Sequence, residues 1–226
     1  RILVDKGLHR GADIGSQPYN LQAIFFTPNS SYTAIYRGMV GADLSGIELR
    51  MLAHYLARYD GGRYADVLLN GDIHQTNADK IGITRKQVKT VTYAFLYGAG
   101  DEKIGHSFDA QLSASAAKRK GKEIRSAYVE AVEGLGDLLE AIKKASEKGS
   151  IRSLDGRQIA VDSSHKALNY LLQSGAGVVA KRWMVINQDH IKELQLCCSQ
   201  LAFVHDELQF EVDPNHAQDL CSSLVL

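Results

Sequence analysis

The stretch Thr84–Gly100, TRKQVKTVTYAFLYGAG, constrains this chain more than any other. Arg85, Lys89, Tyr93 and Tyr97 recur at every fourth position, and such positions stack along one side of an α-helix. That side reads cation, cation, aromatic, aromatic. The opposite side offers Val88, Val91, Ala94 and Phe95 as a stripe for the core. Thr84 suits an N-cap and Gly98 a left-handed stop, so a helix is expected over 84–98. Two successive cations suit a ligand with several negative charges, such as a triphosphate, and the aromatic beyond them suits a base or sugar. Arg85 and Lys89 taken alone would fit a solvated basic edge equally well. The order of all four, closing on Tyr97-Gly98, argues for the ligand.

The 226 residues leave room for one large domain or two small ones, and an apolar content of 45% is ordinary for a globular chain. No apolar run is long enough to span a bilayer and no secretory signal opens the chain, so no membrane partner is expected. Cys197, Cys198 and Cys221 are odd in number and lack zinc-ligand spacing, which points to a reducing, cytoplasmic interior. The 26 basic and 26 acidic residues balance to zero, which neither supports nor excludes nucleic acid as a partner, because placement matters more than the sum. Arg1 is not a Met and the last residues, Ser223–Leu226, are apolar, so the chain reads as a piece of something longer.

Met39–Ala42 reads as a short buried strand with Asp43 at its end, and Ile47, Met51, Leu52, Tyr55 and Leu56 then recur at helical spacing. A carboxylate at such a junction is either a helix N-cap or a metal ligand fixed by the strand. Arg58–Arg63 is a turn cluster and a candidate boundary. Residues 101–148 look helical, and the basic run Lys118–Lys122 within them is either a solvated face or a phosphate contact. Leu154–Arg157 reads as a turn. His165–Lys181 reads as a helix with Asn169 and Gln173 presenting two amides on one edge. Leu201–Val204 and Glu207–Val212 form a natural hairpin, with His205-Asp206 at its tight turn. A core would reject the adjacent acids Asp206 and Glu207 unless a metal or cation neutralised them; a solvated tip is the other reading.

The pattern Arg85-x-x-x-Lys89-x-x-x-Tyr93-x-x-x-Tyr97-Gly98 resembles motif B of the family A, polymerase I-like DNA polymerases. Asp43–Arg50, DLSGIELR, resembles motif A, and Val204-His205-Asp206-Glu207 resembles motif C. Ala167-x-Asn169-x-x-x-Gln173 resembles a helix of the same family, and His165 four before the Asn is similar to the phage-replicase branch. Asn20–Ile24, NLQAI, is similar to the segment before the palm, although Asp13 stands where the family has an arginine and Phe25–Gly38 is short. The motifs come in the family order.

The resemblance implies a mixed α/β fold: a polymerase palm with an antiparallel sheet, an inserted helical fingers subdomain, and a right-hand architecture lacking most of the thumb. The palm would span 1–60 and 156–226 and the fingers 61–155. It implies a template-directed DNA polymerase using primer–template DNA and dNTPs, with a processivity factor as a partner open to the full-length protein. The setting would be the cytoplasm of a bacterial cell or phage-infected host. Asp43, Asp206 and the Leu44 backbone carbonyl would hold two Mg²⁺ ions, with Glu207 as a secondary acid. Arg85, Lys89 and His74, the last in an Asp-Ile-His triplet, would hold the triphosphate, and Lys89 would also protonate the leaving pyrophosphate. Glu48 would act as the steric gate against a ribose 2′-hydroxyl. Tyr93 would stack near sugar and base, a tyrosine here going with easier use of dideoxynucleotides. Tyr97 and Gly98 would lie by the templating position, Asn169 and Gln173 along the minor groove, and His205 at the primer terminus. Two alternatives stand beside this: a single-subunit RNA polymerase of shared architecture, and a nucleic-acid-binding remnant without turnover. Everything requires that Asp43 and Asp206, far apart in the chain, meet as neighbours.

Overall fold

The computed structural model describes residues 2–5 and 38–225, so the expectations about Asp13, Asn20–Ile24 and Phe25–Arg37 lie outside the described residues. The described chain falls into two compact units, one of Arg1–Ser45 with Val179–Leu226 and one of Gly46–Val178.

The first unit is built on a four-stranded antiparallel sheet in the order β1-β2-β6-β5, from β1 (Ile2–Asp5), β2 (Gly38–Asp43), β5 (Cys198–Val204) and β6 (Glu207–Val212). Alternation in β6 decides which face is buried. Leu208, Phe210 and Val212 are buried, as are their β2 neighbours Val40 and Ala42. They pack with Trp183 and Ile191 from the second half of α8 (Ala167–Glu193) and with Leu220, Cys221 and Leu224 from α9 (Ala217–Leu224). Trp183 also donates its indole N–H to the Leu224 carbonyl at 3.2 Å, which satisfies the one polar atom of a buried ring. Directly opposed residues share a face, so Asp43 with Glu207, Gly41 with Gln209, and Met39 with Glu211 fall on the other, polar side. A Cβ on Gly41 would come within 2.8 Å of the Gln209 amide nitrogen, so the glycine lets that side chain lie across β2.

The second unit is helical: α1 (Ile47–Asp60), α2 (Arg63–Asn70), α3 (Ile73–Ile81), α4 (Arg85–Leu96), α5 (Asp101–Phe108), α6 (Ala114–Ala131), α7 (Leu135–Ser146) and the first half of α8. Helix α4 starts where its cap demands. Thr84 and Gln87 form a reciprocal capping box, in which the Gln87 amide donates to Thr84 Oγ1 at 3.3 Å and the Thr84 amide to Gln87 Oε1 at 3.0 Å. It ends at Gly98, which takes φ 70° and lets the last carbonyls find partners. Val88, Val91, Phe95 and Leu96 are buried, each contributing about 1.5–3 kcal/mol. Thr92 joins this face while Ala94 is only half-buried, a slight rotation from the expected stripe. Thr84→Ala removes the cap without touching that face and is expected to lower stability by about 1 kcal/mol, read from urea unfolding.

The helical stretch expected over 101–148 is three helices. Ser113 caps α6 through its side chain, and Gly134 at φ 75° separates α6 from α7. The turn at Leu154–Arg157 joins a small hairpin, β3 (Ser150–Arg152) with β4 (Gln158–Ala160). At three residues a strand, this hairpin is too short to leave an alternation in the sequence. Among the described residues, no helix is long and apolar enough to cross a membrane.

Candidate active site

The carboxylates come from one end of the sheet. Asp43 ends β2 and pairs in register with Glu207, the first residue of β6. The Leu44 amide then donates to the main-chain carbonyl of Asp206 at 3.1 Å, so the pairing continues past the strand ends into the hairpin turn. Asp43, Leu44, Asp206 and Glu207 are thereby neighbours, although more than 160 residues of chain separate the two acidic segments (206 − 43 = 163). Asp43 is exposed, Asp206 and Glu207 half-buried, and Leu44 turns its side chain to the apolar core. Glu207 accepts a short hydrogen bond from the Gln209 amide, which orients its carboxylate along the polar face. His205, at the first turn position, takes φ 57°. A left-handed non-glycine residue is uncommon, and histidine is among the types that tolerate it. Such strained positions cluster at functional sites.

The cations gather on the helical unit. Arg85 and Lys89 lie exposed on one side of α4. His74, buried in the first turn of α3, has its ring centroid 6.2 Å from that of Tyr93. Burial, and then the positive field of Arg85 and Lys89, holds the His74 imidazolium below its ordinary range, so the ring is neutral near pH 7. Its Nδ1 is buried without a hydrogen-bond partner. Asp72 caps α3, accepting at Oδ1 from the amides of His74 (3.1 Å) and Gln75 (3.0 Å), and its Oδ2 accepts from Arg85 Nε at 2.7 Å. The Arg85 hydrogen bond, followed by the helix amides, lowers the Asp72 carboxyl below the usual carboxylate range.

Farther along α4, the exposed Tyr97 donates its hydroxyl to the Glu48 carboxylate at 2.5 Å, tying the first turn of α1 to the end of α4. The turn after α4 is braced from α6. Arg125 donates to Asp101 Oδ1 at 2.5 Å and to the Ala99 carbonyl, and its guanidinium lies 5.5 Å from the Phe95 ring centroid. Asn169 donates its amide to the Leu96 carbonyl at 3.0 Å, satisfying an orphan acceptor in the last turn of α4, whereas Gln173 is exposed. Gly98 faces the backbone of His165 and Lys166. Arg125 and the bond joining Glu48 to Tyr97 carry no signal in the sequence because each depends on a partner far along the chain, and the same holds for the bond from Arg85 to Asp72. The Asp-Ile-His triplet was the one local pointer to Asp72.

The sheet unit thus gathers hard oxygen donors at one end of its inner strands, and the helical unit aligns two cations, a neutral histidine and an aromatic ring. Among the described residues no group of three or more His, Cys, Asp or Glu side chains is assembled into a metal cage, so any ion at that end of the sheet would complete its shell from other oxygens.

The profile of DNA polymerase family A matches residues 17–225. The DNA-directed DNA polymerase of Escherichia phage T7 is 39% identical over 191 residues, covering 75% of this chain and 26% of that protein. The enzyme of Enterobacteria phage T3 is 38% identical over the same coverage. DNA polymerase I of Mycobacterium tuberculosis (strain H37Rv) is 27% identical over 205 residues, covering 81% of this chain and 22% of that protein. The chain therefore spans about a quarter of the length of the curated relatives it matches. Among solved structures, the POL domain of Pol1 from M. smegmatis, in complex with DNA primer-template and dNTP, superposes with a TM-score of 0.69 at 24% identity. That match covers 92% of this chain and 41% of the other, a likeness of fold. With the three motifs in order, a mixed α/β fold, and higher identity to the phage enzymes than to the bacterial one, this chain belongs to DNA polymerase family A.

Proposed function

We propose that this chain carries the palm and fingers of a phage-type replicative DNA polymerase, which transfers a nucleotidyl group from a dNTP to a primer 3′-hydroxyl on a DNA template. The observation that supports it most is the meeting of Asp43 and Asp206 at one end of the sheet, bound through Leu44 N–H to the Asp206 carbonyl at 3.1 Å. The palm is taken as 1–60 and 156–226 and the fingers as 61–155. Helix α1 belongs to the palm by this assignment even though it packs against α2 and α7 of the helical unit.

Oxygen donors on two strand ends, one exposed and one half-buried, suit Mg²⁺, and Asp43, Asp206 and the Leu44 carbonyl would hold two such ions. When bound, the ions supply an activated primer hydroxyl and charge neutralisation at the phosphates. The residues do the rest. Arg85, Lys89 and His74 bind the triphosphate, and Lys89 passes a proton to the departing pyrophosphate oxygen. Glu48, held by the Tyr97 hydroxyl, blocks a ribose 2′-hydroxyl, and Tyr93 orients sugar and base. Tyr97 and Gly98 border the templating base, Asn169 and Gln173 follow the minor groove, Glu207 supports the carboxylates, and His205 approaches the primer end. Asn169 joins Gln173 in that role through the second N–H of its amide, since the first serves Leu96. The reaction runs in the cytoplasm of a bacterial or phage-infected cell.

The test is magnesium-dependent primer extension with matched dNTPs and rNTPs. Extension with dNTPs is expected. Preference for rNTPs would make the chain an RNA polymerase of the same architecture, and template binding without extension would make it a nucleic-acid-binding remnant. Lys89→Ala is expected to reduce turnover about 10²-fold, as for loss of a general acid, while primer–template affinity stays within about twofold. The reverse pattern would move Lys89 to the DNA-binding surface.

A further inference from the structure

Asp72 is absent from the set of residues given a role above, yet its carboxylate touches the elements that carry two of them. Oδ1 takes the His74 and Gln75 amides at the start of α3, and Oδ2 takes Arg85 Nε at 2.7 Å. Arg85 needs such a partner. It is the first residue of α4, followed by Lys86, and cations at a helix N-terminus face the positive end of the dipole. A long arginine side chain at an exposed position would otherwise sample many rotamers. The bond is made at Nε, and the two terminal guanidinium nitrogens remain to grip a phosphate.

We propose that Asp72 is a positioning residue for polyphosphate binding: one carboxylate fixes both the first turn of α3, which carries His74, and the guanidinium of Arg85, so that both face an incoming triphosphate already set. The lowered carboxyl range of Asp72 agrees with a charge that persists wherever the enzyme works. This inference rests on the nucleotide reading of the site. The opposite effect is also physically definite, since a carboxylate on Arg85 can compete with phosphate for it, and the two differ in sign.

Asp72→Asn separates the two contacts, because asparagine caps a helix as well as aspartate does but offers no charge to the guanidinium. Binding of radiolabelled dATP with Mg²⁺ to this chain, followed by equilibrium dialysis, is expected to weaken about five-fold, with the thermal midpoint unchanged. In an Arg85→Met background the same substitution is expected to have no further effect. Without nucleotide, the Arg85 Nε proton is expected to be protected from exchange in the wild type and to lose that protection in Asp72→Asn. Unchanged or tighter dATP binding by Asp72→Asn overturns the proposal, the latter making Asp72 a competitor of phosphate. An equal loss in the Arg85→Met background also overturns it, because the effect would then be structural. A wild-type chain that binds no dATP at all brings down the nucleotide reading together with this one, whereas an unresponsive Asp72→Asn leaves that reading standing.

Discussion

Asp206→Ala is expected to lower magnesium-dependent primer extension at least about 10³-fold while leaving the fold intact, since on the proposed reading its carboxylate holds the metal that supports several kcal/mol of transition-state charge stabilisation. The structure makes this a clean substitution. The contact that holds the turn against β2 runs from the Leu44 amide to the main-chain carbonyl of Asp206, which alanine retains. Leu208, Phe210 and Val212 keep their buried face, and the strained position in the turn is His205 rather than Asp206. Single-turnover extension, with circular dichroism as the control, reads the effect. Residual activity near the wild-type level would place the chemistry elsewhere. A variant that failed to fold would show that the polar edge of the sheet depends on this side chain, and Asp206→Asn, which keeps its shape, would then be the test.

Gly121→Ala is expected to cost about 3 kcal/mol of stability and about 10 °C in the thermal midpoint, an overpacking effect at a site with no slack. A Cβ on Gly121 would lie 1.7 Å from the Asp101 carbonyl oxygen and 2.9 Å from the Gly105 nitrogen. Both are backbone atoms that no rotamer change can remove. Gly105 makes the reciprocal approach, where a Cβ would fall 1.9 Å from the Ala117 carbonyl oxygen. Helices α5 and α6 meet backbone to backbone across these two glycines, so an added methyl group must part them. Their separation would disturb Arg125, which spans from α6 to Asp101 and Ala99 and braces the turn after α4. The damage should therefore reach α4, which carries Arg85 and Lys89. Gly136→Ala serves as the comparison in the same melts. It lies within α7, where a Cβ would meet only Val129 Cγ1 at 3.9 Å, and it should be neutral or slightly stabilising. Equal midpoints for the two variants would show that α5 and α6 tolerate separation.

Local features were legible because their causes are local. The capping box of Thr84 and Gln87, the stop at Gly98 and the alternation of β6 each arise among residues within a few positions of one another. The single helical region expected from 101 to 148 became three because composition reports helix propensity but not interruption, and the breaks at Asp109–Ser113 and Gly134 are short. The bond from Asn169 to Leu96 joins positions 73 apart and gives one N–H of that amide a helix-end contact. The bond from Tyr97 to Glu48 joins positions 49 apart. Neither leaves any periodicity or motif of its own.

The sequence by itself determined which residue types line each element and in what order: two cations ahead of two tyrosines on α4, an acid at the end of β2, and two acids at the tip of a hairpin. Those follow from spacing, caps and alternation, which act over one or two turns of chain. Only the tertiary structure decided that Asp43 stands opposite Glu207, that Asp72 grips Arg85, and that two glycines bring α5 onto α6. Such contacts depend on strand register and helix packing, in which the whole buried surface of a unit selects one arrangement among many that the local rules would allow.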